Sequence, residues 1–119
     1  FVCILNKRDR MSAAGGIPAA VTLARSVHPE LLLEIEVETL AELEQALAAG
    51  VDRVMLDEFD DDTLARALKQ IQGRAEVEIS GSVDLDRLQQ LATLGVDYIS
   101  VGALTKNVRA IDLSMRVDA

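Results

Sequence analysis

The chain has 119 residues, of which 50% are hydrophobic and 3% aromatic, and it carries a formal net charge of −8 with an isoelectric point near 4.5. This length fits one domain with its own core but is well short of the ~250 residues of a complete (β/α)₈ barrel. The acidic balance argues against nucleic acids and anionic membranes as partners. A single cysteine, Cys3, excludes an internal disulfide, and no apolar run approaches the ~20 residues of a membrane span, so we expect a cytoplasmic protein.

Apolar segments alternate along the chain with segments of helical periodicity. Thr39-Leu-Ala-Glu42 is a capping box that opens one helix, and Gly50 ends it. Strands linked by helices predict a parallel sheet that is covered on both faces, within a single α/β domain over 1–119. The predicted elements are strand 1–6, linker 6–16, helix 17–27, strand 31–37, helix 39–48, strand 51–56, helix 63–70, strand 75–79, helix 84–93, strand 97–101 and, within an extra C-terminal segment 109–119, strand 111–117.

Two stretches of the chain echo each other. Ala49-Gly-Val-Asp-Arg-Val54 and Leu94-Gly-Val-Asp-Tyr-Ile99 recur 45 residues apart, which is the length of two βα units. Such an echo is typical of a barrel built from repeated units, although the same helix-stop-strand solution can also arise twice independently.

Acidic and small residues follow the predicted strands. Glu36, Asp57 and Glu78 stand at or near the carboxyl ends of three strands, where acidic groups can hold ribose hydroxyls or Mg²⁺. Ser80-Gly81 and Gly102-Ala103 are loops that can bring backbone N–H groups to a phosphate. Two simpler interpretations stay open. The alternating glutamates of the strand around Glu36 can be plain solvent-facing residues, and the two glycine loops can be ordinary turns between a strand and a helix.

Four segments together resemble the second half of the quinolinate phosphoribosyltransferases, the nicotinate-nucleotide pyrophosphorylases of NAD synthesis. They are Leu33-Glu-Ile-Glu-Val-Glu38, Val54-Met-Leu-Asp57, Glu78-Ile-Ser-Gly81 and Ile99-Ser-Val-Gly-Ala-Leu-Thr-Lys106, and the resemblance extends over nearly the whole chain.

The resemblance implies a role for each matching residue. Lys7 is expected to contact the pyridine substrate, and Glu36 and Asp57 are expected to contact the ribose, with both carboxylates as candidate Mg²⁺ ligands. The 5′-phosphate would be held by Ser80, Gly81 and Gly102. No other cofactor is expected, and Mg²⁺ only if the family's activity persists.

The sequence departs from the family pattern at polar positions of this rim. Arg8 reverses a charge, Asp9 replaces an asparagine and Arg10 replaces a histidine. Glu58 stands where the family has asparagine after the aspartate, and Asn107 where it usually has histidine. Strand cores and phosphate loops are retained while the polar rim changes, which indicates either deliberate redesign or selection for something other than the family's reaction.

These observations predict about five parallel strands that form half of a (β/α) barrel, either as such or relaxed into a flavodoxin-like doubly wound sheet. A half barrel would expose an apolar barrel-facing side and open edges, so we expect a homodimer or larger assembly. The first functional hypothesis is a non-catalytic, engineered or excised scaffold that self-associates. The alternatives are part of an active quinolinate phosphoribosyltransferase, or a weak phosphate- or nucleotide-binding module with a ligand like phosphoribosyl pyrophosphate.

Overall fold

A computed structural model describes residues 2–12, 15–81, 84–101 and 113–116. None of the helices in these ranges is long and apolar enough to cross a lipid bilayer. The elements are β1 (Val2–Leu5), α1 (Lys7–Ser12), α2 (Ile17–Val27), β2 (Leu32–Val37), α3 (Leu40–Ala48), β3 (Arg53–Asp57), α4 (Asp61–Ile71), β4 (Glu76–Gly81), α5 (Leu85–Ala92), β5 (Tyr98–Val101) and β6 (Leu113–Arg116).

The strands form one open sheet in the order in which they occur in the chain, β1 to β6. The first five are parallel, and β6 pairs with β5 in the antiparallel direction. Sequential order without a reversal is the order of a barrel, whereas a flavodoxin-like sheet needs the strand order to reverse. The prediction of a half barrel is therefore confirmed, and the doubly wound alternative is not adopted. The C-terminal strand β6, within the predicted strand 111–117, pairs with β5.

Helices cover one face of this sheet, because right-handed crossovers between sequential neighbours place every helix on the same side. The expectation of helices on both faces was wrong. The strand side chains on the helix side are apolar and nearly fully buried, and they form the core with α2, α3 and α4. They are Leu33, Ile35, Val37, Val54, Leu56, Val77, Ile79 and Ile99.

The opposite, barrel-facing side of the sheet carries charged side chains. Arg53 donates from Nη1 to Glu34 Oε2 at 3.1 Å and from Nη2 to Glu76 Oε1 at 3.5 Å, and its guanidinium lies 3.9 Å from the centre of the Tyr98 ring. Glu34 is 1% exposed and Arg53 8%. The expected apolar face was thus wrong at β2, β3 and β4, because the alternation that buries one side of each strand puts Glu34, Arg53 and Glu76 in register on the other.

Local signals account for the helix starts. Thr39, Asp60 and Asp84 each accept a hydrogen bond from the backbone N–H three residues later, and these are the N-caps of α3, α4 and α5. Helix α1 was missed, because its residues, Lys7–Ser12, lack an apolar stripe and were read as a linker. A reciprocal cap between Asn6 and Asp9 begins it, each side chain accepting from the other's N–H at 3.1 Å.

The repeated Gly-Val-Asp motif has a structural role. Asp52 precedes β3, and its Oδ2 accepts the Leu33 N–H of β2 at 2.8 Å; Asp97 precedes β5, and its Oδ2 accepts the Val77 N–H of β4 at 2.9 Å. In both cases the aspartate's own N–H donates back to the carbonyl of that same residue. The two aspartates therefore clamp the start of one strand to the start of the strand before it.

Candidate functional site

Three carboxylates meet at the carboxyl ends of β2 and β3. Glu36, Glu38 and Asp57 each bring an oxygen into a group whose members all lie within 4.8 Å of one another. The register explains this, because Val37 pairs with Leu56 and the residues that follow are therefore side by side. The structure thus brings together the two acidic residues expected at the site, Glu36 and Asp57, and adds Glu38.

The surroundings of these carboxylates disfavour their charged forms. Partial burial is the main cause that raises the pKa of Glu36, followed by the charges of Asp57 and Glu38. Burial likewise leads in raising the pKa of Asp57, followed by Glu58 and Glu38. A bound divalent cation would remove this mutual repulsion, and hard oxygen ligands of this kind suit Mg²⁺.

Lys7 lies at the same rim, at the start of α1. Its Nζ is 3.9 Å from Glu38 Oε2, which makes it a neighbour of the carboxylate cluster. Of the residues that depart from the family pattern, Asp9 caps α1, whereas Arg10 turns inward and pairs with Glu42 at 2.8 Å. These substitutions therefore have structural partners in this chain.

The predicted phosphate loop begins at the end of β4, next to the carboxylates. Ser80 pairs with Asp57 in the sheet, and its carbonyl accepts the Glu58 N–H at 3.3 Å. Behind it is a 240 Å³ cavity lined by Ser80, Gly81, Glu58 and Arg87, among others. Gly102 lies outside the described residues, and the role of this loop in binding phosphate stays a prediction.

One further candidate, Glu78, lies apart from the cluster. It is buried and accepts a hydrogen bond from the Ser100 hydroxyl, so it lies within the barrel-facing side rather than on the rim. Sequence reasoning missed the contributions of Glu38 and Arg87. The alternation Glu34-x-Glu36-x-Glu38 is the signal that could have identified Glu38, whereas no local signal marks Arg87.

Comparison with known proteins places this geometry in a family. The family model "Quinolinate phosphoribosyl transferase, C-terminal domain" matches residues 2–116. A probable carboxylating nicotinate-nucleotide pyrophosphorylase of Bacillus subtilis is 36% identical over 115 residues, which is 96% of this chain and 40% of that protein. The chloroplastic relative of Arabidopsis thaliana is 35% identical over 137 residues, covering 99% of this chain and 39% of the relative.

Solved structures agree with the sequence matches. The nicotinate-nucleotide pyrophosphorylase of Francisella tularensis superposes with a TM-score of 0.80 at 41% identity, over 98% of this chain and 41% of that one. The enzyme of the same name from Ehrlichia chaffeensis gives 0.80 at 27% identity, over 92% and 39%. The chain spans about 40% of the length of these relatives. It belongs to the quinolinate phosphoribosyl transferase C-terminal domain family.

Proposed function

We propose that this chain supplies the metal- and ribose-binding rim of a quinolinate phosphoribosyltransferase site, and that it is non-catalytic by itself. The observation that carries the proposal is the group of Glu36, Glu38 and Asp57 at the carboxyl ends of adjacent parallel strands. Ligands of α/β barrels bind at this end of the strands, and three hard oxygen donors suit a magnesium complex of a phosphorylated sugar.

The family's reaction assigns each group a task. It joins quinolinate to the phosphoribosyl group of phosphoribosyl pyrophosphate and releases pyrophosphate and CO₂, with nicotinate mononucleotide as the product. Glu36 and Asp57 would accept hydrogen bonds from the ribose hydroxyls and share the Mg²⁺ that balances the pyrophosphate charge. Lys7 would face the pyridine carboxylates, and Ser80, Gly81 and Gly102 would hold the 5′-phosphate.

The charge of the described rim supports the non-catalytic part of the proposal. A dicarboxylate substrate needs several fixed cations that are free to bind it. Of the three basic residues of α1, Lys7 already faces Glu38 and Arg10 is paired with Glu42, which leaves Arg8. The described rim therefore offers acidic groups for a metal complex but little cationic surplus for quinolinate.

We also propose that the chain self-associates, and the edge strand β1 supports this. Val2 is 41% exposed and Ile4 52%, both on the barrel-facing side of the strand. Among the described strands, β1 pairs only with β2, so its outer edge presents backbone groups to a further strand. A second copy that pairs along β1 would cover both the edge and these apolar side chains.

A metal titration tests the functional proposal. We expect Mn²⁺, used as a paramagnetic probe for Mg²⁺, to broaden the NMR signals of residues around Glu36 and Asp57. Glu36→Gln and Asp57→Asn should each weaken binding by at least about tenfold, because each removes a charged ligand. Glu30→Gln, at a 68% exposed side chain remote from the rim, is the matched control. Equal binding by all four proteins, or broadening centred elsewhere, would contradict the proposal.

An assay with quinolinate and phosphoribosyl pyrophosphate tests the non-catalytic part. We expect the protein with Mg²⁺ to release no CO₂ above the uncatalysed background. Turnover within about a hundredfold of an ordinary enzyme, whose kcat is about 10 s⁻¹, would overturn it.

A further inference from the structure

A second pocket lies outside the barrel mouth, between α1, the start of α2 and α3. It has a volume of 320 Å³, and its walls include Lys7, Arg10, Gly16, Ile17, Glu42 and Gln45. The carboxylate cluster is built on strand ends, whereas these residues belong to helices or to the residue that precedes one. The pocket therefore adjoins the proposed ribose and metal site through Lys7 and Glu42, but Glu36 and Asp57 are not among its walls.

Arg10 is a buried wall of this pocket with unused hydrogen-bonding capacity. Its side chain is 4% exposed, and Nη1 donates to Glu42 Oε2 at 2.8 Å. Its Nε and Nη2 atoms are buried and have no acceptor in the described part of the chain. The other oxygen of Glu42 accepts the Glu38 N–H at 2.8 Å and makes no hydrogen bond to either of these nitrogens.

The two unused nitrogen atoms define the kind of ligand. Nε and Nη2 form one side of the guanidinium, and their two N–H bonds run parallel. This is the arrangement that binds two oxygens of a carboxylate or phosphate at once. A buried charged donor without an acceptor is rare, and it indicates a missing partner.

The start of α2 adds a second, independent attraction for an anion. Its N-cap is Gly16, which has no side chain to accept a hydrogen bond, and its first turn holds no acidic residue. The free N–H groups and the partial positive charge at this end of the 11-residue helix are therefore uncompensated by side chains. Both features line the same pocket.

We propose that this pocket is a binding site for a small oxyanion, a phosphate or a carboxylate, with Arg10 as its bidentate anchor. The start of α2 and Lys7 add positive potential, and the 320 Å³ cavity has room for a small anion beside Arg10. The inference uses neither Glu36 nor Asp57, and it shares only Lys7 with the proposed function, so a loss of metal binding and a loss of anion binding at Arg10 are distinguishable.

Titration by NMR at constant ionic strength, with inorganic phosphate in one arm and acetate in the other, tests this site. We expect the Arg10 Nε–H signal and the amide signals of Gly16 and Ile17 to shift together and to saturate. The arm that saturates at the lower concentration identifies the preferred oxyanion. Arg10→Lys keeps the charge but removes the parallel donors, so it should weaken binding by about tenfold or more. Arg25→Lys, which alters an arginine at the far end of α2 that contacts Asp52, is the matched control.

Each other outcome overturns the proposal. Shifts confined to Ser80 and Gly81 would place anion binding at the strand-end loop instead. Linear, unsaturated shifts in both arms would mean screening by salt only. If Arg10→Lys proves unfolded by circular dichroism, the wild-type Arg10 Nε–H signal still decides, because a bound anion must move it.

Discussion

Glu34 makes the stability of this protein depend on pH in an unusual direction. Burial, and next the charge of Glu78, raise its pKa from 4.5 to about 7, against the opposing effect of Arg53. Between pH 4.5 and about 7, the Glu34 carboxyl therefore keeps its proton in the folded state but has lost it in the unfolded chain. The resulting stability is complete below pH 4.5 and disappears as the pH rises towards 7, by about 3 kcal/mol.

Glu34→Gln isolates this contribution, because the amide keeps the shape of the side chain and cannot ionise. We expect the free energy of unfolding of the variant, relative to wild type, to increase by about 3 kcal/mol between about pH 4 and about pH 8. Urea unfolding followed by circular dichroism measures it. Glu44→Gln is the control: a hydrogen bond from Gln70 lowers the pKa of that exposed carboxyl, so its difference from wild type should change in the opposite direction. Parallel pH profiles for wild type and Glu34→Gln would refute the reasoning.

Three further results are expected. Glu58 has a left-handed backbone with φ of 58°, so Glu58→Asn should stabilise the fold by about 1 kcal/mol in urea unfolding, and a loss of stability would contradict this. Asp52→Ala should cost about 1–3 kcal/mol, because the Leu33 N–H loses its acceptor. Although burial opposes it, hydrogen bonds from Leu33 and Arg25 lower the pKa of Asp52. The stability that Asp52 adds should therefore be lost as the pH falls below 3.8. A difference in unfolding free energy between wild type and Asp52→Ala that stays the same at low pH would refute this. Sedimentation equilibrium of the wild type should give a mass above 12.9 kDa. Ile4→Lys, which puts a charge on the exposed edge strand, should return the mass to 12.9 kDa. A wild-type mass that stays at 12.9 kDa as the concentration rises would exclude self-association.

Local signals were enough to predict most of the helices and strands. The capping box at Thr39 and the aspartate at position 84 marked helix starts correctly, because an N-cap depends on residues within one turn. Helix α1 was missed because its cap, the reciprocal pair of Asn6 and Asp9, precedes a segment without apolar periodicity.

Features that depend on register could not be read from one strand at a time. Glu34 and Arg53 form an ion pair on the barrel-facing side because they are opposite each other in neighbouring strands. The sequence of one strand alone does not give its register with the next. At the site, resemblance supplied Glu36 and Asp57, whereas Glu38 joined them only through the alignment of the two strand ends. The burial of Arg10 was equally invisible, because its partner Glu42 lies 32 residues away.

Asp52 and Asp97 fix the register between neighbouring strands within each repeated unit. Each one ties a strand to its immediate predecessor, through both its side chain and its own N–H, and the Asp52 carbonyl also accepts the Glu76 N–H of the strand that follows. A unit that is duplicated or transplanted therefore brings along its own alignment with the strand before it. This locality makes the architecture modular: barrels can grow, by gene duplication or by design, from parts that each specify how the next strand is set.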